Sequence, residues 1–145
     1  MAFTGDFFCN SFKQELFEKL HDLKTTGDSF KIALYDNTAT LTAATTAYTV
    51  SGELAASGNY TTTGQALTVA ANPTLDTGTA ICDFDDEVFA TATFTAYGAL
   101  IYNDTAAGDP ALVVLDFGGA KTATAGDFTI QFPAPAAATA IIRIA

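Results

Sequence analysis

Thr91-Ala92-Thr93-Phe94-Thr95-Ala96-Tyr97-Gly98-Ala99-Leu100-Ile101-Tyr102 is the stretch on which the fold turns. It carries no charge, is rich in β-branched and aromatic side chains, and runs into Asn103-Asp104, so it reads as a central strand entering a turn. Residues 103 to 110 have loop composition, and Ala111 to Phe117 return as an apolar run interrupted by Asp116, which predicts an antiparallel hairpin. Gly118-Gly119 is expected to end the second strand. A short edge segment at Lys121 to Ala125 and a turn at Gly126-Asp127 should follow, then a strand in which Phe128, Ile130 and Phe132 alternate before Pro133. Thr139 to Ile144 reads as a last strand.

Working back from the hairpin, Phe30, Ile32 and Leu34 alternate with Lys31, Ala33 and Tyr35, the period of a half-buried strand, and Asp36-Asn37 turns it. Gln65 to Ala70 and Thr79 to Phe84 give two more strands, while residues 38 to 64 read mostly as loop and as a candidate mobile arm. Ser11 and Gln14 fit a capping box, and Phe12, Leu16, Leu20 and Leu23 form an apolar stripe, so a helix is predicted over 11–24 with Gly27 as its stop. Short strands at roughly 8–12-residue spacing predict an antiparallel β-sandwich or barrel-like domain with one N-terminal α-helix. The organisation expected is a single β domain over 1–145, with 1–10 as a candidate docking arm, 11–24 as helix and 29–145 as β-sandwich.

At 145 residues the chain is long enough to bury roughly two thirds of its unfolded surface without a metal or disulfide. Sixteen acidic residues against six basic ones give a net charge of −10 with no basic cluster, which argues against direct nucleic-acid binding. The N-terminus lacks a basic region before its apolar patch, and no uncharged apolar run reaches the ~18 residues a membrane span needs, so synthesis and folding in a cytosol are expected. Only 15% of residues are charged, and Ala, Thr and Gly fill much of the rest, the composition of poorly charged faces that rest against other subunits. Cys9 and Cys82 each have apolar neighbours and read as buried, reduced thiols.

Chemistry-bearing patterns are sparse. Asp83, Asp85, Asp86 and Glu87 put several oxygen ligands within five residues and form a weak candidate Ca²⁺ site, although the glycine and terminal glutamate spacing of an EF-hand is missing. His21 is the sole histidine and falls near the end of the predicted helix, where an imidazolium suits the helix dipole. No nucleophile motif or metal-ligand pair accompanies it, so no enzymatic activity and no cofactor are expected. Tyr35, Tyr48, Tyr60, Tyr97 and Tyr102 suit either packing or a sugar-binding face.

Ser11-Phe12-Lys13-Gln14-Glu15-Leu16, Phe30-Lys31-Ile32-Ala33-Leu34-Tyr35, Phe94 to Asn103, Lys121 to Ile130, Phe132-Pro133 and Ile141-Ile142-Arg143-Ile144-Ala145 together resemble a family of small structural proteins of tailed bacteriophages. The similarity covers nearly the whole chain and consists of packing and turn motifs. It departs from the family at Gly52 to Tyr60 and at Phe89, where relatives tend to have a compact glycine-rich segment and a Trp. The resemblance implies a virion protein, made and assembled in the host cytoplasm. Its expected role is a capsid decoration or cement protein on the capsid exterior, binding the major capsid protein and other virion proteins. A homo-oligomer, by analogy a trimer, is expected as well. Met1, Phe3, Phe7 and Phe8 are the candidate partner-binding residues, as an apolar arm docking on a neighbour. The alternative is a tail or head-fibre component that recognises the host surface, glycans included, through residues 36 to 64 and 103 to 110.

Overall fold

The computed structural model describes residues 3–145, and the uncharged stretch lies in the middle of the larger of two antiparallel sheets. The elements are β1 (Phe7–Phe8), α1 (Asn10–Phe17), β2 (Phe30–Tyr35), β3 (Gln65–Leu67), β4 (Thr74–Asp76), β5 (Thr79–Cys82), β6 (Glu87–Asn103), β7 (Ala111–Ile130) and β8 (Ile142–Ile144). Five strands form one sheet in the order β1-β7-β6-β2-β3, and three form the other in the order β4-β5-β8. Neither sheet closes on itself, so the chain is mainly β with a sandwich-like arrangement and not a barrel.

The hairpin expected from residues 91 to 117 forms and runs further than expected. β6 and β7 stay paired from Tyr102↔Ala111 to Glu87↔Ile130. Gly118-Gly119 does not end β7. Ala96 pairs with Lys121 and Gly98 with Asp116, so Tyr97 alone faces Phe117 to Ala120, and the excess bulges out through Gly118 and Gly119 at φ 70° and 129°. The expected turn at Gly126-Asp127 does not form either: the ladder continues through Gly126, with a bulge just before it. Ala92 pairs with Gly126 and Phe94 with Ala123, leaving Thr93 opposite Thr124 and Ala125. Local turn chemistry is satisfied in both places by a β-bulge, which kinks a strand without releasing it from the ladder.

β2 is not half-buried as its alternation suggested: Ile32 to Tyr35 are all buried. Its one edge pairs with β6, and β3 covers the other only from Phe30 to Ile32. The loop between β2 and β3 completes that edge, with Leu54 N donating to Leu34 O at 2.9 Å, a bridge between Tyr35 and Glu53, and Leu34 N donating to the Tyr60 hydroxyl at 3.0 Å. Ala39, Leu41 and Tyr60 from this loop are buried with the core, so the segment is a packed strap and not a mobile arm. β4 was missed in the sequence because it is three residues long; it joins β5 through Thr77-Gly78, both at positive φ, as a two-residue hairpin requires.

The helix is shorter than the periodicity implied. Cys9 is its N-cap and no side chain caps it; Cys9 N and Asn10 N donate to Leu112 O and Ala43 O instead. Ser11 therefore falls inside the first turn, where its buried hydroxyl has no partner, and Gln14 donates to Glu18 Oε1 at 2.7 Å. The stripe breaks after Leu16. Lys19 turns left-handed at φ 58°, and this reverses the chain so that His21 enters the core while Phe17 and Leu20 stay exposed.

Phe3 is 3% exposed because its ring lies on Gly98. A Cβ at position 98 would sit 2.4 Å from the Phe3 ring and 2.5 Å from Leu115 O. Gly98→Ala is therefore expected to lower stability by about 1–3 kcal/mol, read as a lower urea midpoint with an unchanged slope.

Candidate functional site

The acidic run 83–87 is pulled apart by its own strand geometry. Asp83 is buried and accepts from Phe84 N at 2.9 Å and weakly from Ile141 N at 3.4 Å. Asp86 accepts from Phe132 N at 2.8 Å, and Asp85 is exposed. Burial raises the carboxyls of Asp83 and Glu87 above the usual range, a cost that backbone amides partly offset at Asp83 and the Gln65 side chain at Glu87. The four side chains do not converge, so the Ca²⁺ candidate dissolves into backbone tethers. Among the described residues no three His, Cys, Asp or Glu side chains gather in a metal-holding arrangement.

Tyr35, Tyr48, Tyr60 and Tyr102 spend their hydroxyls within the fold instead of presenting a sugar-binding face, and Tyr97 is half-buried against the core. Glu53, on the β2–β3 strap, accepts from the Tyr60 hydroxyl at 2.8 Å, from Thr63 N at 2.7 Å and, through its other oxygen, from the Tyr48 hydroxyl. Tyr48 stacks on Tyr102 at 4.9 Å between ring centroids; Tyr102 donates to Thr63 O and Tyr35 to Thr49 O at 2.7 Å. Among the described residues no cation pairs with Glu53; its carboxylate is held by three donors from its own strap. Desolvation first, and the Glu53 charge besides, pushes the hydroxyls of Tyr35, Tyr48 and Tyr60 above their ordinary range; for Tyr102 desolvation and Asp104 lead. Sequence reasoning missed Glu53, since nothing at Gly52-Glu53-Leu54 distinguishes a tethering carboxylate from a solvated one.

His21 lies past the helix and not at its dipole. Its side chain is fully buried, with Nε2 2.8 Å from Glu15 Oε2 and Nδ1 3.0 Å from Asn103 Nδ2. Asn103 also donates to Asp28 Oδ2 at 2.7 Å, while its own oxygen accepts from Thr105 N and Ala106 N. Because Asn103 is a donor at Nδ1, the arrangement fits a neutral imidazole carrying its proton on Nε2 and donating to Glu15. This cluster joins the α1–β2 turn to the end of β6 and is a structural clamp. Cys9 and Cys82 are free and buried, and burial pushes their thiols up to about 12 and about 11, so they are unreactive at neutral pH.

The segment expected to be a docking arm is part of the fold. Phe3 packs on Gly98, Phe7 and Phe8 pair with Val114 and Val113 as β1, and Asp6 Oδ1 accepts from Asp116 N at 2.7 Å. β7 lies at the side of the sheet and takes β1 as its edge partner, which is why this segment does not project. Met1 lies outside the described residues.

Beside β1 the surface is hollowed. One hollow of about 430 Å³ lies between β7 and the chain from Gln131 to Ile141, with Leu115, Phe117, Phe128 and Phe132 in its apolar wall. A second, of about 380 Å³, lies against Phe7, Phe8 and Val113. They share Asp6, Leu115, Pro133 and Ile141 and so adjoin, together making the groove beside β7. Its charged lining is mixed: Asp6 and Asp116, with Lys121 and Arg143. A largely apolar trough of this size with a few polar groups is suited to holding side chains of another chain.

Glu53→Ala, by stranding three donors, is expected to cost on the order of 3 kcal/mol, measured by chemical denaturation. The four raised tyrosines set an alkaline limit. Their folded-state values lie above the unfolded value of 10.0, so the stability they contribute is fully present below that pH and is lost as pH rises through the folded values. Tyrosinate absorbance from these residues should rise together with loss of the circular dichroism signal; appearance of their tyrosinate while the chain is still folded would contradict this. Comparison of the chain with protein-family models, with curated proteins and with solved structures finds no match.

Proposed function

We propose that this chain is a structural component of a tailed-bacteriophage virion, bound to the capsid exterior as a decoration or cement protein. The observation that carries the reading is the open apolar groove along β7, set on a sandwich-like scaffold whose loops are tied down. A side chain of the major capsid protein seated there would bury apolar area without requiring the scaffold to reorder, and many copies would add their interfaces to the resistance of the shell. The low charge content and the segments that resemble phage structural proteins support the same reading. Phe7 and Phe8, which line the groove, are the residues of the N-terminal segment that a partner would touch.

A tail or head-fibre role in host-surface recognition draws on a different observation. The β2–β3 strap and the loop 103–110 are preorganised by Glu53 and by Asn103, as recognition loops on a rigid scaffold often are. No helix among the described residues is long and apolar enough to cross a membrane.

The two readings separate on location. With a tag after Ala145, label imaged by negative stain should spread over the shell of intact particles. Label confined to the tail or one vertex would replace the cement role with the recognition role, and unlabelled particles would contradict a virion protein of either kind.

A further inference from the structure

The side chain of His21 is fully buried, and both of its ring nitrogens are engaged. The partner at Nδ1 has no freedom to change its role. Asn103 is buried, and its Oδ1 accepts from Thr105 N at 2.9 Å and from Ala106 N at 3.0 Å, so turning the amide over would aim its NH2 group at two backbone N–H groups. The amide nitrogen is therefore fixed toward Nδ1. A second proton on the imidazole would go to Nδ1, where it would meet a donor instead of an acceptor.

An acceptor for that proton lies just beyond the amide. Asp28 Oδ2 is 2.7 Å from the same Asn103 nitrogen, so Asn103 stands as a wedge between the imidazole and a carboxylate. The other charged and titratable groups around the ring leave this arrangement alone. From α1, Glu15 already takes the Nε2 proton at 2.8 Å, Lys13 is turned to Asn10 Oδ1, and the Cys9 thiol is pushed up to about 12 by burial and stays neutral. Phe12 adds only a ring edge at 5.2 Å. In the turn before β2, Asp22 faces Lys24, and at the end of β6 Asp104 is paired with Lys31 at 3.0 Å. An imidazolium at this position would thus have carboxylates on two sides, Glu15 in contact and Asp28 behind the wedge.

We infer that His21 is a proton-operated latch on the loop 103–110: on gaining its second proton it takes Asp28 as acceptor, displaces the Asn103 side chain and frees the turn at Thr105-Ala106. The proton comes from solvent and acts as a ligand, shifting the equilibrium because only the displaced arrangement gives Nδ1–H an acceptor. Histidine suits such a device, since its ordinary charge change falls between about pH 5 and 8. The root of the loop stays anchored, with Asp104 N donating to Ser29 O at 2.8 Å and Lys31 holding the Asp104 carboxylate, so the movement is local. The inference goes beyond the virion reading and does not depend on it.

A nuclear magnetic resonance titration of the isotope-labelled full chain from about pH 8 to about pH 5 tests it. His21 is the sole histidine, so its ring signals need no assignment. At the alkaline end the ring should carry its proton on Nε2. As Nδ1 gains a proton, the amides of Thr105 and Ala106 should shift with the same midpoint, and their hydrogen exchange, corrected for its intrinsic pH dependence, should speed up about tenfold, the worth of one lost hydrogen bond. Leu100 and Ile101 should stay protected throughout. His21→Gln, which offers an acceptor and a donor without titrating, should hold the turn closed over the whole range. An Nδ1–H tautomer at the alkaline end, a ring that stays neutral to the acid end, a ring that charges while Thr105 and Ala106 do not respond, or loss of protection at Leu100 and Ile101 in step with them would each overturn the inference, as would the same opening in His21→Gln. The wild-type titration decides the matter even where the variant fails to fold.

Discussion

From Gly98 to Asn103, β6 is buried on both faces and hydrogen-bonded on both edges, to β2 on one side and β7 on the other. Every other part of the fold is placed relative to these six residues. β2 repeats them residue for residue from Tyr35↔Gly98 to Phe30↔Asn103, and β7 runs from Ala111 to Asp116 on the far side. A segment desolvated in every direction tolerates no charge and little excess volume, which is why it reads Gly-Ala-Leu-Ile-Tyr-Asn and why Gly98 leaves room for Phe3. Beyond this block β6 and β7 continue as a two-stranded ribbon, joined through Phe89, Phe94 and Phe128 and capped by Tyr60.

Two polar clusters make long irregular segments part of this core. Glu53 gathers the ends of the β2–β3 strap through Tyr48, Tyr60 and Thr63, and Asn103 clamps the α1–β2 turn through His21 and Asp28 while ordering the start of the 103–110 loop. Each places a carboxylate or amide where its donors are fixed, so the bonds cost little further ordering and leave few buried polar atoms unmet. The same economy explains the acidic run after β5. Asp83 and Asp86 hold amides of the C-terminal segment.

The central strand, its hairpin partner and β2 were legible in the sequence because their apolar runs are long enough to outweigh local exceptions. What was illegible depended on distant residues. Gly118-Gly119 and Gly126-Asp127 carry ordinary turn chemistry, and only pairing with β6 keeps them in the ladder, with bulges opposite Tyr97 and Thr93 in place of turns. The helical stripe at Leu20 and Leu23 lost to the burial of His21 against Asn103, a partner 82 positions away. Phe3, Phe7 and Phe8 read as an arm because an apolar terminus looks the same whether it covers its own sheet or a neighbour's. The groove is invisible in sequence for a related reason: Asp6, Leu115 and Ile141 become neighbours only where β1 pairs with β7.

The central structural claim is that the strap between β2 and β3 belongs to the same cooperative unit as the β6 block, held there by Glu53. Native-state amide hydrogen exchange addresses it residue by residue. If the account holds, the amides of Leu54 and Thr63 exchange nearly as slowly as those of Leu100 and Ile101, with one shared opening free energy. Fast exchange at Leu54 and Thr63 beside a protected β6 would contradict it and return residues 36 to 64 to the status of a mobile loop.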